Sequence, residues 1–182
     1  MGDVLTYFDH ITTAMTKLSE DERVIFLGQC VEYPGNALYK NLEHIDPNRR
    51  IEMPVAEDLQ MGISIGLAFN GFVPVTIYPR FDFLVCASNQ LINHLDKFAG
   101  MSGGRVSPKV IIRVCVGSTY PLHPGIQHCS DHSEAYRYLL KTVEVVVLDN
   151  LNMIVPSYMN ALERTDGKST LLIEIADSYK NT

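Results

Sequence analysis

Arg50-Ile51-Glu52-Met53-Pro54-Val55-Ala56-Glu57-Asp58-Leu59-Gln60-Met61-Gly62 is the stretch on which the fold turns. Residues 50 to 53 read as a short strand, and Glu57 opens a helix that runs to Phe69. Asn70-Gly71 then stops that helix. The spacing parks a carboxylate at a strand-to-helix junction in apolar surroundings. Desolvation disfavours the charged form of a carboxylate, and a glutamate that holds its proton can hydrogen-bond a heterocyclic nitrogen. The plainer reading is that Glu57 suits a helix N-terminus through the macrodipole.

Outward from this junction the chain alternates between two periods. Val4, Leu5, Phe8, Ile11, Met15 and Leu18 recur at helical spacing, which predicts a helix over residues 3–19. Val24 to Leu27, ending at Gly28, reads as a buried strand. A short helix is predicted over 37–44, closed by Asp46-Pro47. Further strands are predicted over 73–78, 109–116, 143–148 and 170–175, and further helices over 83–99, 132–140 and 151–163. Apolar strands alternating with helices predict an α/β three-layer sandwich. Its sheet of about six strands is mostly parallel, with helices on both faces. Ligands in such folds lie at the carboxyl ends of the strands. Glu57 follows the second strand, Phe81-Asp82-Phe83 the third, and the loop from Gly117 to His128 the fourth. All three therefore fall at one edge.

Composition narrows the classes. A length of 182 residues fits one domain with a real core. The net charge is −6 and no basic cluster exceeds Arg49-Arg50, which disfavours a nucleic-acid partner. No apolar run approaches the ~18 residues of a membrane span. The start, Met1-Gly2-Asp3-Val4, lacks a signal peptide's basic and apolar regions. Cys30, Cys86, Cys115 and Cys129 show no paired ligand spacing. A cytoplasmic home is the expectation.

Several short motifs then fall in order. They are Pro54-x-x-Glu57, Gly62-Ile63-x-Ile65-Gly66-Leu67-Ala68, Asn70-Gly71-Phe72-x-Pro74-Val75, Phe81-Asp82-Phe83, Asn89-Gln90-x-Ile92-Asn93 and Lys97-x-x-x-Met101-Ser102-Gly103-Gly104. Gly28-Gln29-x-Val31 precedes them, and Pro108-x-x-Ile111-x-Arg113 and Gln127-His128 follow. In this order the set resembles the pyrimidine-binding domain of thiamine diphosphate enzymes. The resemblance is strongest to the beta subunit of 2-oxo acid dehydrogenases. It departs at Gln29, where that family usually has an acidic residue, and at Cys129-Ser130-Asp131-His132, where the family usually continues Ser-Gln. That family's beta subunit also carries a C-terminal domain. The expectation here is a single pyrimidine-binding domain over residues 1–182 without it.

The resemblance implies that Glu57 hydrogen-bonds a pyrimidine ring nitrogen and promotes the imino form of the cofactor. It implies that Phe83, with Phe81, walls the ring, and that His128 contacts substrate or intermediate. For Phe81-Asp82-Phe83 the residues alone also fit a capped helix start with two core phenylalanines. His123, His128, Asp131 and His132 raise a metal site as an alternative, although Pro124-Gly125 makes the segment before His128 a loop. No metal ligand set is assigned to this chain. Gly62 and Gly66 share a helix face, suited either to a second subunit or to the chain's own sheet.

The family's diphosphate half uses a Gly-Asp-Gly and a divalent metal, and this sequence has no Gly-Asp-Gly. The resemblance therefore implies a diphosphate-binding, alpha-like partner holding Mg2+, in a heterotetramer with a homodimeric contact. The implied reaction is decarboxylation, acyl transfer or carboligation of a 2-oxo acid. Transketolase-type ketol transfer from a ketose is the enzymatic alternative, and a catalytically idle binding or regulatory module the non-enzymatic one.

Overall fold

The computed structural model describes residues 5–120 and 123–180. Among these residues six strands form one sheet: β1 (Val24–Gly28), β2 (Arg50–Glu52), β3 (Val73–Tyr78), β4 (Ile111–Val116), β5 (Glu144–Leu148) and β6 (Thr170–Ile175). Their order is β2-β1-β3-β4-β6-β5, and every pairing is parallel. Every position of β3, and nearly every one of β4 and β6, is buried, as a sheet covered on both faces requires.

The described α-helices are α1 (Tyr7–Ser19), α2 (Ala37–Lys40), α3 (Glu57–Phe69), α4 (Phe81–Leu84), α5 (Phe98–Met101), α6 (Ser133–Leu139) and α7 (Leu151–Glu163). On one face Ile11, Met15 and Leu18 of α1 and Ile154 and Tyr158 of α7 pack over Val24 and Phe26. On the other, Met61 and Ile65 of α3 join Phe81, Leu84 and Tyr136 in a second core. The sheet separates the two cores, which makes the three layers. No helix among the described residues is long and apolar enough to cross a membrane.

Local chemistry sets the boundaries. The helix expected from residue 3 begins, in its described part, at Tyr7, because Thr6 is its N-cap; residues 3 and 4 lie outside the described residues. Thr6 Oγ1 accepts from the Asp9 N–H at 3.2 Å and Asp9 Oδ2 accepts from the Thr6 N–H at 2.8 Å, a reciprocal capping box. The helix expected over 37–44 stops at Lys40. Asn41 turns inward there, donating to Thr12 Oγ1 at 2.8 Å.

The continuous helix expected over 83–99 is a correction. Winding begins earlier, at Phe81, and passes through a 3-10 turn at Val85–Ala87 and a π-helical stretch at Asn89–Leu95 before α5. The wide turn is closed by the Asp96 N–H donating to the Leu91 carbonyl at 3.0 Å. It delivers the Asp96 carboxylate to the N–H groups of Lys141, Thr142 and Val143, at 3.0, 2.7 and 2.9 Å. A tertiary anchor of this kind overrides local helical winding, and side-chain periodicity cannot report it.

Candidate functional site at the carboxyl edge

From β1 the chain runs to β2 on one side, and from β3 it runs on to β4 on the other. The carboxyl ends of β1 and β3 therefore flank a topological switch point, where open α/β sheets bind ligands. A cleft of about 590 Å³ opens at this edge. Cys30 after β1, Arg80 and Phe83 after β3, Ser118 and His128 after β4, and Tyr179 after β6 are among its lining residues.

Glu57 is the first residue of α3 and only 8% exposed. Its Oε1 accepts from Gln29 Nε2 at 2.9 Å, and Oε2 has no hydrogen-bond partner among the described residues. Gln29 reaches Glu57 because Gly28 ends β1 at φ +140°. A Cβ on Gly28 would stand 2.2 Å from the Ile77 carbonyl oxygen, so only glycine fits there. The Glu52 carboxylate pins the loop beyond Gln29 by accepting from the N–H groups of Cys30, Val31 and Glu32, at 2.9, 2.7 and 2.7 Å. Cys30 is held there at φ +62°. One turn into α3, Gln60 Nε2 donates to Thr76 Oγ1 and the Ile77 carbonyl, at 2.9 and 3.0 Å. The base of the carboxylate is thus locked to β3.

Phe83 and His128 meet across the cleft, edge to face, with ring centroids 5.4 Å apart. The Nδ1 of His128 is buried without a hydrogen-bond partner among the described residues. Buried polar atoms are rarely left so. Phe81 departs from the expectation that it joins this wall. It is fully buried, packed against the rings of Tyr136 and His132 at 5.3 and 5.5 Å, and does not line the cleft. In the short α4, Phe81 and Leu84 share the inward face and Phe83 turns outward.

The other histidines scatter. His123 Nδ1 accepts from the Gly125 N–H at 3.1 Å, and His132 Nε2 lies 3.8 Å from Asp82 Oδ1. Asp131 Oδ1 accepts from the N–H and hydroxyl of Ser133, the first residue of α6. His128 ends a 3-10 turn and His132 precedes α6, so the two imidazoles do not share one helix. Among the described residues no three His, Cys, Asp or Glu side chains converge as a metal site.

Beneath the cleft lies a second polar cluster. Arg113 and Glu174 form a fully buried ion pair at 2.7 Å. Tyr158 and Tyr179 each donate to Glu174 at 2.6 Å, and Arg113 Nη2 donates to Asn41 Oδ1 at 2.8 Å. Burial pushes the Glu174 carboxyl up, but the Arg113 charge and the hydrogen bonds from Arg113 and the tyrosines outweigh it and hold the group below its ordinary value.

Two residues of the edge escaped the sequence reading as participants. Gln29 was visible only as a departure from a family pattern, with no sign that its amide meets Glu57. Arg80 was visible only as a cation that follows a largely apolar strand and Pro79.

Known proteins bear on this geometry. No family model matches the chain. Over 136 residues, 71% of the chain, it is 31% identical to the 3-methyl-2-oxobutanoate dehydrogenase subunit beta of Mycobacterium tuberculosis (strain CDC 1551 / Oshkosh), covering 37% of that protein. It is 31% identical to the mitochondrial pyruvate dehydrogenase E1 component subunit beta of Pisum sativum, over 80% of the chain and 47% of the relative. The corresponding Rickettsia bellii subunit is 30% identical over 68% of the chain and 38% of the relative. The chain thus spans less than half the length of these curated relatives. Among solved structures, a split gene transketolase described as an inactive beta4 tetramer shares the fold. Its TM-score is 0.65 at 18% identity, over 94% of this chain and 50% of that one.

Proposed function

We propose that this chain, a homologue of the beta subunits of 2-oxo acid dehydrogenases, is the pyrimidine-binding subunit of a heteromeric thiamine diphosphate enzyme acting on a 2-oxo acid. The observation that carries the reading is Glu57. It is a buried carboxylate at the strand-to-helix junction of the ligand-binding edge, with one oxygen held by Gln29 and the other without a partner among the described residues. The residues suit the aminopyrimidine half of the cofactor: a water-poor carboxyl group, an aromatic wall at Phe83 and an unpartnered buried imidazole nitrogen at His128. Thiamine diphosphate, when bound, supplies the electron sink for cleavage beside a carbonyl.

The chain's own residues divide the remaining tasks. Gln29 fixes Oε1 of Glu57, so proton exchange with a ring nitrogen is confined to Oε2. Burial keeps water from competing for that proton. Phe83 sets the plane of the ring, and His128 offers Nδ1 to a polar group of the substrate. The diphosphate and Mg2+ are assigned to an alpha-like partner, since the sequence has no Gly-Asp-Gly and no three metal-ligating side chains converge among the described residues. A solved neighbour whose beta chains form an inactive tetramer supports a need for such a partner. All four cysteines are free, which suits a reducing compartment such as the cytoplasm.

The outer face of α3 supports assembly through this helix. Leu59 and Ile63 are exposed on it, and nothing lies within 4 Å of a Cβ built on Gly66. The same face is assigned the homodimeric contact of a heterotetramer. Ketol transfer from a ketose is the secondary reading, favoured by the transketolase fold match.

Calorimetry with thiamine diphosphate and Mg2+ tests the proposal. The isolated chain should bind feebly, and a mixture with a diphosphate-binding, alpha-like subunit should bind tightly and turn over a 2-oxo acid. Tight binding by the isolated chain would show that the phosphate site has been misassigned. Turnover of ketoses but not 2-oxo acids would favour the secondary reading.

A further inference from the structure

We propose that Arg80 forms an oxyanion-binding subsite in the carboxyl-edge cleft, which holds the acidic group of the substrate beside Phe83 and His128. The proposal rests on reading this cleft as the substrate site. Arg80 stands between β3 and α4 with its guanidinium fixed at one end only. Its Nη1 donates to the Gly117 carbonyl at 2.7 Å and to the His128 carbonyl at 2.9 Å. Both carbonyls belong to the segment after β4, so the guanidinium is oriented by the far wall of the cleft. Its Nε and Nη2 make no hydrogen bond to a described residue. Those two nitrogens are where a fork of donors would engage two oxygens of one oxyanion.

Among the described residues, the hydrogen bonds of this cation go to carbonyls and none goes to a carboxylate. Arg80 is the only Lys, Arg, Asp or Glu among the described residues lining the cleft. The carboxylates nearby are engaged elsewhere. Glu52 holds three backbone N–H groups, Asp177 accepts from the Thr119 N–H and hydroxyl, and Glu174 is paired with Arg113. Asp82 accepts from the Ser130 N–H and faces His132. Burial pushes the Cys30 thiol up, Glu52 adds to that, and the Arg80 charge opposes both. Arg80 also pulls against the burial of Cys115, on the cleft floor. A half-buried cation in a largely apolar cleft, in a chain of net charge −6, has a strong demand for an anionic partner.

The shared chemistry is a carboxylate or a phosphate, from a 2-oxo acid or a ketose phosphate. Side-chain Nε–H resonances of 15N-arginine in the full chain provide the test, with the Arg80 signal assigned by its loss in Arg80→Lys. Sodium pyruvate, inorganic phosphate and the neutral pyruvamide are titrated separately. Saturable movement of the Arg80 signal with pyruvate or phosphate, and none with pyruvamide, supports the subsite, and the tighter anion names the source. Arg80→Lys keeps the charge but loses the fork, and should bind that anion about tenfold more weakly. Two results would overturn the proposal: no movement with either anion, or a folded Arg80→Gln protein that binds within about twofold of the original, against the several-fold loss a charged hydrogen bond predicts. The titration needs neither cofactor nor partner subunit, so its failure leaves the reading of Glu57 untouched, and the converse holds.

Discussion

Glu174 and Glu57 are both buried carboxylates toward the carboxyl ends of strands in one sheet, and they are finished differently. Glu174 accepts from Arg113 Nε and Nη2, from Tyr158 and from Tyr179, so both oxygens are covered. Among the described residues Glu57 accepts from Gln29 alone. A charge whose hydrogen bonds are complete holds a core together and has nothing left to offer a ligand. A charge left half complete lowers stability and gains a use. His128, whose Nδ1 has no partner among the described residues, and Arg80, with two nitrogens unbonded among them, fall on the side of Glu57.

The widest gap between the two carboxylates should appear in activity. Glu57→Gln should leave the fold intact, because Gln29 and the amide can still pair. It should reduce turnover of the assembled enzyme by about 10²–10⁴-fold, the range of general acid–base contributions. Activity within a few-fold of the original would remove Glu57 from the mechanism.

Glu174→Ala should do the reverse. It strands Arg113 in the core at a cost of about 3–5 kcal/mol, read by urea unfolding. A loss under ~1 kcal/mol, the worth of an exposed pair, would mean that the cluster is not the structural member of the comparison.

Acid should act through the same cluster and through the Asp96 anchor. The Glu174 and Asp96 carboxyls are both held below their ordinary values, Asp96 against its burial by the N–H groups of Val143, Thr142 and Lys141. Their stabilisation is therefore complete above the ordinary carboxylate range and is lost as pH falls through the depressed values. The melting temperature should drop on acidification, and less steeply in Glu174→Gln. Equal slopes would assign the acid sensitivity to other groups.

The smallest effect belongs to the outer face of α3. Gly66→Leu adds a side chain where nothing lies within 4 Å, so the monomer should keep its stability while an interface is overpacked by ~1–3 kcal/mol. Sedimentation across a concentration series should show weakened association. Unchanged association would place the contact elsewhere.

The strands and α3 were legible in the sequence because burial on both faces writes largely apolar runs, as in Val73–Tyr78 and, apart from Arg113, Ile111–Val116. Glu57 was legible because Pro54 and the helical period behind it fix the junction. The π-helical stretch at Asn89–Leu95 was not, since its cause is the Asp96 carboxylate reaching N–H groups more than forty residues away. Phe83 was expected against the ring with Phe81 beside it. Only the direction of a four-residue helix separates core from cleft. Arg80 showed only as a charge after a strand, because its meaning lies in two backbone carbonyls from a distant loop.

The strand order carries a consequence for how this chain can meet others. The sheet ends in β2 and β5. β2 is three residues long, with Arg50 and Glu52 on either side of Ile51, and β5 opens on the exposed Glu144, which pairs with Arg164 at 2.9 Å. Short, charged borders are poor templates for adding a strand from a second molecule. Growth of the sheet across copies, the route to fibrous association, is discouraged on both flanks. Encounters with other chains are left to the helical faces and to the mouth of the cleft.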